Sequence, residues 1–329
     1  MRLIAKSIVR QGTAPAVSAQ VTRVFDCLPP EMKRAALFMP EQERNRLEEI
    51  RLRAGREMTV TVDGCERVLS RDGRLYETDG LGRGIVCPAE YIQYTVEKAS
   101  DGFVYSAEET IRQGFITLRG GHRIGLCGHA VTAGGEISAI NGFSSVCIRV
   151  ARDIEGISAE GAEAVCGGGR LNNTLIISSP LTGKTTYLRD LIRELSKRRI
   201  RTGICDERSE IAALVAGEPQ FAIGHFIDVI DGCRKSDAAM LLLRAMSPQV
   251  IAMDEITAPC DVEAICRAAN CGVSVVATAH ADDVRELYRR RIYAPLLENR
   301  IFSRVLHLTR QGGERACAVY EVTDGDAPC

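Results

Sequence analysis

The segment at residues 178–186, which reads Ser-Ser-Pro-Leu-Thr-Gly-Lys-Thr-Thr, constrains this chain more than any other feature of its sequence. An apolar run at 174–177 precedes it, and a helical pattern at 185–197 overlaps its end. A strand, a tight loop and a helix N-terminus in this order are the setting of a phosphate-binding P-loop. Successive backbone N–H groups and the helix dipole bind an anion there. The segment therefore predicts a nucleotide-binding loop inside an α/β domain.

Each residue of this loop is a candidate for contact with a bound nucleotide, which we interpret as ATP. The candidates are Ser178, Ser179, Pro180, Leu181, Thr182, Gly183, Lys184, Thr185 and Thr186. Lys184 is expected to reach the β- and γ-phosphates, and the Thr185 hydroxyl to hold Mg²⁺. Ser178 replaces the first glycine of the P-loop pattern, which leaves the shape of the start of the loop open. The alternative is a chance Gly-Lys-Thr sequence at the start of a helix.

Two acidic residues, Asp254 and Glu255, follow the apolar run at 250–253. Ligands of open α/β sheets bind at the carboxyl ends of the strands, so these carboxylates are predicted to lie beside the P-loop. Asp254 suits Mg²⁺ through a water, and Glu255 suits orienting or deprotonating the attacking water. The alternative is a buried strand that ends in a solvated acidic turn. The order and spacing after the P-loop favour the nucleotide site.

Two further apolar runs end in polar residues that are expected at the same edge of the sheet. The run at 203–205 leads into Asp206 and Glu207, and the run at 275–279 ends at His280. A polar side chain in this position can sense the γ-phosphate and couple hydrolysis to movement. A single histidine is more often a hydrogen-bonded core residue, but the neighbouring acidic strand end favours a functional His280.

Three consecutive glycines at 167–169 predict a domain boundary, because neither a helix nor a strand continues through them. Beyond them, apolar runs of strand length alternate with helical patterns, which predicts a parallel sheet covered on both faces. The predicted units are a poorly ordered extension at 1–23, a smaller α+β domain at 24–165 and the P-loop domain at 170–329. In the first 165 residues, helices are predicted at 29–40, 88–99 and 107–113, and a last strand at 144–150.

The composition argues against several functional classes. Lys and Arg total 42 against 43 Asp and Glu, so the net charge of −1 gives no basic field for nucleic acid. No apolar run approaches the ~18 residues that a membrane-spanning helix needs. The 13 cysteines include no C-x-x-C pair and are scattered, which is typical of reduced thiols in a cytosolic protein and not of a zinc site.

The chain resembles the stage III sporulation protein AA family, which is similar to the hexameric ATPases of secretion systems. The segments that carry the resemblance are the P-loop and residues 48–56, 114–123, 141–145, 206–211, 228–233, 246–256, 277–280 and 297–302. Together they extend over residues 24–322. Ser178 and Thr257 depart from the family pattern, which tends to have glycine at the second of these positions.

The resemblance implies a RecA-like P-loop NTPase domain that hydrolyses Mg-ATP within a homo-hexameric ring. It implies a motor in the cytoplasm of the mother cell, peripherally attached to membrane-embedded proteins of the channel to the forespore. In related ATPases an acidic segment after the second strand supplies the catalytic glutamate, so Glu207 competes with Glu255 for the role of base. The candidate catalytic residues are Glu255, Glu207, His280 and Arg208, and the candidate arginines for the γ-phosphate are Arg123, Arg208 and Arg244.

Two other functions stay open at the level of the sequence. One is a scaffold that binds ATP and hardly hydrolyses it, because Ser178 departs from the P-loop pattern. The other is a P-loop translocase on nucleic acid. The net charge of −1, the absence of Trp and the 5% aromatic content argue against it.

Overall fold

The computed structural model describes residues 2–11, 21, 23–80, 82–100, 114–118, 120–180, 182–311 and 314–323. The chain divides into two compact units. Ala16–Arg152 is here called the N-terminal unit, and Met1–Pro15 with Asp153–Cys329 the C-terminal unit. In these described ranges, no helix combines the length and the apolar character needed to cross a membrane. The described cysteines are free thiols.

The chain starts with strand β1 (Arg2–Gln11), which pairs within the C-terminal unit. The elements of the N-terminal unit follow in chain order: α1 (Pro30–Phe38), α2 (Glu41–Arg44), β2 (Leu47–Arg53), β3 (Arg56–Glu57), β4 (Thr59–Val62), β5 (Cys65–Leu69), β6 (Leu75–Tyr76), β7 (Val86–Cys87), α3 (Ala89–Ser100), β8 (Phe115–Thr117), β9 (Arg123–Ala133) and β10 (Glu136–Arg149). Antiparallel pairing gives a sheet of order β6-β5-β4-β2-β10-β9-β8, and β3 and β7 form a separate ribbon. Helix residues such as Met32 and Ile92 share one hydrophobic core with sheet residues such as Ile50 and Ile148, so the unit is α+β.

Two of the predicted helices occur in this unit as α1 and α3. Pro30 opens α1, where its missing N–H costs nothing because the first turn of a helix has no partner for that group. The predicted helix at 107–113 lies outside the described residues.

The hairpin between β9 and β10 makes the last strand longer than predicted. The sequence pattern placed its start at 144, whereas β10 begins at Glu136. Gly134 and Gly135 turn the chain with φ of +62° and +85°, in the left-handed region that glycine adopts readily. Such a two-residue turn matches the twist of the strands that it joins, so pairing can begin beside it.

The C-terminal unit contains β1 and the rest of the chain: α4 (Ala159–Cys166), β11 (Thr174–Ser178), α5 (Lys184–Lys197), β12 (Thr202–Asp206), β13 (Ile227–Asp231), α6 (Lys235–Ala245), β14 (Val250–Met253), α7 (Pro259–Asn270), β15 (Ser274–His280), α8 (Val284–Arg289), α9 (Ala294–Glu298), β16 (Arg304–Gln311) and β17 (Glu314–Thr323). The sheet order is β1-β17-β16-β11-β15-β14-β12-β13. The strands from β16 to β13 in this order run parallel, and β17 and β1 are antiparallel to their neighbours.

The parallel strands form the centre of this unit and determine where the polar strand ends meet. Every residue of β11, β12 and β14 is buried. Strands covered on both faces need apolar side chains throughout, which is why they read as continuous apolar runs. Strand β15 lies between β11 and β14, and Ser178 is in register with His280. The carboxyl ends of these strands therefore lie side by side, and the predicted α/β architecture is confirmed.

The N-terminal segment differs from its prediction as a poorly ordered extension at 1–23. Within it, β1 pairs antiparallel with β17, from Arg2 opposite Thr323 to Gln11 opposite Arg315. Residues 12–20 lie outside the described residues. Strand β17 would otherwise be the edge of the sheet, and an edge presents a row of unpaired N–H and C=O groups. Pairing between the two ends of a chain gives no local sequence signal.

The boundary between the units also differs from the predicted one. It lies between Arg152 and Asp153, so helix α4 belongs to the C-terminal unit. The three glycines at 167–169 form a short 3₁₀ turn between α4 and β11. Gly168 and Gly169 have φ of +77° and +74°, so they serve a local turn inside the unit.

Buried charges fix the segment after Asp153 to helix α5. The fully buried Asp190 accepts hydrogen bonds from the Gly156 N–H at 3.0 Å and the Ser158 hydroxyl at 2.7 Å. Arg193, one turn later, pairs with Asp190 at 2.8 Å and with Asp153 at 2.5 Å. Because a buried charge is tolerated only with partners, this network holds the segment against α5.

Replacing Arg193 by Leu is expected to lower the free energy of unfolding by about 3–5 kcal/mol, because two carboxylates lose their buried partner. Arg198→Leu is the control, since Arg198 directly follows the same helix and its ion pair with Glu163 is largely exposed. That change is expected to cost about 0–1 kcal/mol. Urea unfolding followed by circular dichroism measures both losses. Equal losses for the two variants would contradict this role for Arg193.

Candidate nucleotide-binding site

The P-loop segment joins the end of β11 to the start of α5. Gly183, directly before α5, has a φ of +98°, in the left-handed region that favours glycine. The Thr182 hydroxyl donates to the carbonyl of Ser179 at 2.9 Å, a bond within the loop. Ser178 is the last, buried residue of β11 and has an extended backbone, so its position does not need the glycine of the pattern. Leu181 lies outside the described residues.

The Lys184 ammonium lies between the loop and the end of β15. Its Nζ donates to the Ser178 carbonyl at 3.2 Å and is 2.7 Å from Nδ1 of His280. Because an ammonium has only donors, Nδ1 accepts, and the ring proton of a neutral imidazole then lies on Nε2. Lys184 is 7% exposed. Burial lowers the pKa of Lys184, and the charges of Asp254 and Glu255 oppose that effect.

Asp254 joins the start of α5 to the end of β15. The Thr185 hydroxyl donates to its Oδ2 at 2.6 Å, and the Thr278 hydroxyl donates to its Oδ1 at 2.5 Å. A Mg²⁺ site combines one or two protein oxygens with waters and substrate phosphates. In the part of the chain that the structure describes, no group of three or more His, Cys, Asp or Glu could hold a metal. The oxygens of Thr185 and Asp254, which lie 2.6 Å apart, are protein ligands of the kind that a Mg²⁺ site shared with a phosphate uses.

Glu255 is held at its backbone and at its carboxylate. Its N–H donates to the Thr278 hydroxyl at 2.8 Å, and its φ of +47° is uncommon for a residue with a side chain. Its Oε1 is 2.9 Å from Nε2 of His280, and its Oε2 is 3.4 Å from Nη1 of Arg208. Such backbone strain persists where the surroundings enforce it, often at functional sites. His280 thus bridges Glu255 and Lys184.

Asp206, at the end of β12, organises the loop that carries Glu207 and Arg208. Its buried carboxylate accepts four backbone N–H groups, those of Glu210, Ile211, Ala212 and Ala213. Burial raises the pKa of Asp206, and these hydrogen bonds oppose the increase. Arg189 of helix α5 holds the same loop, because its guanidinium donates to the carbonyls of Glu210 and Ile211. Helix α5 and the acidic loop are therefore joined directly.

The carboxylate of Glu207 faces a buried lysine. Its Oε2 is 2.8 Å from Nζ of Lys235, the first residue of α6, and Oδ2 of Asp261 is 3.6 Å from the same nitrogen. Glu207 and Lys235 line one cleft with Asp254 and Glu255, the two acidic residues that follow strand β14. The cleft residues are Cys205, Asp206, Glu207, Arg208, Glu210, Lys235, Asp254 and Glu255. The two candidate bases thus share a cleft and have different partners.

The structure brings most of the predicted site residues together at the ends of four parallel strands. Hydrogen bonds and ion pairs at these strand ends involve Ser178, Lys184, Thr185, Arg208, Asp254, Glu255 and His280. The Ser179 hydroxyl donates to Asp282 at 2.6 Å, Pro180 is exposed, and Thr186 is half-buried in the first turn of α5. Arg244 is exposed in the last turn of α6. Arg123 belongs to the N-terminal unit, where it lies over the Phe115 ring.

Three charged residues of the site escaped the sequence reasoning. Arg189, Lys235 and Asp261 are each less than 5% exposed. All three lie in helices, where a charged residue is normally assigned to the exposed face, and their partners are distant in the sequence. The sequence of α5 contains one signal that indicates a buried Arg189, because apolar residues lie within two positions of it on both sides.

Comparison with solved structures identifies the fold. The chain is similar to the pilus retraction motor PilT with bound ADP, with a TM-score of 0.53, 16% identity and coverage of 85% of this chain and 80% of that one. It is also similar to the ATPase DotB of Legionella pneumophila, with a TM-score of 0.51, 15% identity and coverage of 89% and 82%. At this identity the likeness shows the fold, which is the RecA-like P-loop architecture predicted from the sequence.

Comparison at the level of sequence identifies the family. The chain is 36% identical over 311 residues to stage III sporulation protein AA of Bacillus subtilis strain 168, covering 93% of this chain and 96% of that protein. The family model for sporulation stage III, protein AA matches residues 21–324. The chain therefore belongs to the stage III sporulation protein AA family.

Proposed function

We propose that this protein binds and hydrolyses Mg-ATP in its C-terminal unit and works as a ring-forming motor in endospore formation. The observation that carries the proposal is the convergence of the P-loop, which follows β11, with Asp254 and Glu255, which follow β14, on either side of β15. The family of the chain supports a role in sporulation. The fold that it shares with the motor PilT and the ATPase DotB supports hydrolysis.

The P-loop residues supply the binding of the phosphates. The backbone N–H groups of the loop and the start of α5 would hold the β-phosphate, and the Lys184 ammonium would neutralise charge on the γ-phosphate. Thr185 and Asp254 would hold Mg²⁺, which would supply positive charge that offsets the charge of the phosphates. The short bond between these two side chains keeps their oxygens in place before the nucleotide arrives.

Glu255 is our candidate for the group that orients and deprotonates the attacking water. The Thr278 hydroxyl fixes its backbone, so the start of its side chain is held, as catalytic positioning requires. The competing carboxylate, that of Glu207, is engaged by the Lys235 ammonium. This ion pair with a buried partner holds the Glu207 carboxylate against Lys235.

His280 and Arg208 complete the proposed catalytic group. His280 contacts both Lys184 and Glu255, so a change at the phosphate contact of Lys184 would reach Glu255 through one side chain. Arg208 is half-exposed beside Glu255 and carries a charge that can stabilise the transferring phosphoryl group. The alternative of a non-hydrolysing scaffold rests on Ser178, and the extended backbone of this residue, which needs no glycine, supports hydrolysis over that alternative.

The finer parts of the proposal concern assembly and place. We infer a homo-hexamer from the resemblance to the hexameric ATPases of secretion systems, because in a ring an arginine of a neighbouring subunit can complete such a site. The partners would be membrane-embedded proteins of the channel between mother cell and forespore. The protein would act from the cytoplasm of the mother cell, at the periphery of that complex, and not on nucleic acid.

Lys184→Ala is expected to abolish ATP binding or hydrolysis while the protein still folds, because the ammonium acts as a charge on phosphate. Lys197→Ala is the control, since this lysine ends the same helix and is exposed. Titration with a fluorescent ATP analogue and a phosphate-release assay measure the two steps, and circular dichroism reports folding. A folded Lys184→Ala variant with the turnover of the wild type would refute the proposed site.

Glu255→Gln is expected to slow hydrolysis by about 10²–10⁴-fold with ATP affinity largely retained, since the amide cannot take the proton from water. Glu207→Gln should have a smaller effect, because its carboxylate is paired with Lys235. Single-turnover hydrolysis and nucleotide titration on both variants measure the difference. If Glu255→Gln hydrolyses ATP normally and Glu207→Gln does not, the two roles are reversed.

Hydrolysis per chain is expected to rise with protein concentration, because a neighbouring subunit is needed to complete each site. A dilution series of phosphate release, with light scattering on the same samples, relates activity to assembly. Activity per chain that stays constant down to dilutions at which only monomers scatter would contradict a shared site.

A further inference from the structure

Lys235 is a buried cation that the proposed reaction does not use. It begins helix α6 and is 4% exposed, and its Nζ lies 2.8 Å from Glu207 and 3.6 Å from Asp261. A lysine is almost never this buried unless it is paired, because removing an ammonium from water is costly. Arg234, the residue before it, is exposed. The burial is therefore specific to one side chain at the start of α6.

The two carboxylates come from elements on either side of the site. Glu207 directly follows strand β12. Asp261 lies in the first turn of α7, where its Oδ2 accepts the N–H groups of Thr257 and Ala258 at 3.0 Å each. The turn that Asp261 caps begins just after Glu255, so one ammonium spans the acidic loop and the turn behind the proposed base.

The charge balance of the cleft explains why a cation is needed there. Asp206, Glu207, Asp254 and Glu255 all line it. An acidic cleft repels a triphosphate, and among the residues that line it only Arg208 and Lys235 carry positive charge. Lys235 offsets one of these charges from within the wall of the cleft.

We propose that Lys235 is a positioning residue that holds the Glu207 carboxylate against the wall of the cleft, so that Glu255 alone acts on the water. This role rests on the proposed ATPase function. It differs from a phosphate-binding role, because both contacts of the ammonium are carboxylates. Loss of Lys235 would release Glu207 as a second, competing carboxylate beside the reacting groups, without removing a contact to the nucleotide.

The test compares Lys235→Met, Lys235→Arg, Glu207→Gln and the double variant Lys235→Met/Glu207→Gln by single-turnover hydrolysis at saturating Mg-ATP and by ATP titration. Lys235→Met should hydrolyse about 10–100-fold more slowly at unchanged ATP affinity, a loss of the size seen when an outer partner of a reaction site is removed. The double variant should recover the rate of Glu207→Gln, because the unpaired carboxylate is gone. Lys235→Arg, which keeps the charge, should retain most of the rate, and Arg234→Met is the surface control.

Several outcomes would overturn the inference. A wild-type rate in Lys235→Met would show that the pair does not matter for hydrolysis, and weakened ATP affinity would make Lys235 a ligand contact. A slow double variant would show that Lys235 acts through another group. If Lys235→Met does not fold, recovery of folding in the double variant supports the pairing, and its absence refutes it. If the wild-type protein has no ATPase activity, the proposed function itself is wrong. That result is distinct from the outcomes above, in which the wild type is active and only the variants differ.

Discussion

Asp254 is held between two hydroxyl groups, and the geometry of the site depends on this arrangement. Thr185 comes from the first turn of the P-loop helix and Thr278 from the strand between the P-loop and the acids, so one carboxylate joins three elements. The Thr278 hydroxyl also accepts the N–H of Glu255, where the backbone is left-handed. Groups fixed before the ligand arrives are what phosphoryl transfer needs, since its catalysis is mostly positioning and charge.

Three buried basic side chains, those of Arg189, Arg193 and Lys235, keep this arrangement in place. Arg189 ties the P-loop helix to the acidic loop, and Arg193 ties the same helix to the segment that follows Asp153. Lys235 connects that loop with the turn after Glu255. Arg193 and Lys235 are paired with carboxylates, and removing one partner of such a buried pair leaves the other charge uncompensated. The helix that begins at Lys184 is thus mechanically linked to both acidic segments and to the start of the C-terminal unit.

Local patterns in the sequence identify the strands and the motif, but not the contacts between distant charges. Strands β11 and β14 could be predicted from their apolar runs, because burial on both faces of a sheet imposes a local pattern. The phosphate loop could be predicted from its Gly-Lys-Thr sequence for the same reason. The pairing of β1 with β17 joins segments that are far apart in the sequence, so no local pattern predicts it. The partners of Lys235 depend on how three elements pack, and a charged residue in a helix is expected on its surface. The three glycines at 167–169 were wrongly predicted to mark a domain boundary, because a glycine run occurs both in linkers between domains and in turns within one domain.

The central claim is that Thr185, Asp254 and the P-loop form one Mg-ATP site. A crystal structure with Mn²⁺ and a non-hydrolysable ATP analogue tests it most directly, because anomalous scattering locates the metal independently of the nucleotide. We expect the metal at the Thr185 hydroxyl and beside Asp254, with the Lys184 ammonium on the phosphates. A nucleotide bound away from the loop, or a metal without Thr185 among its ligands, would contradict the account.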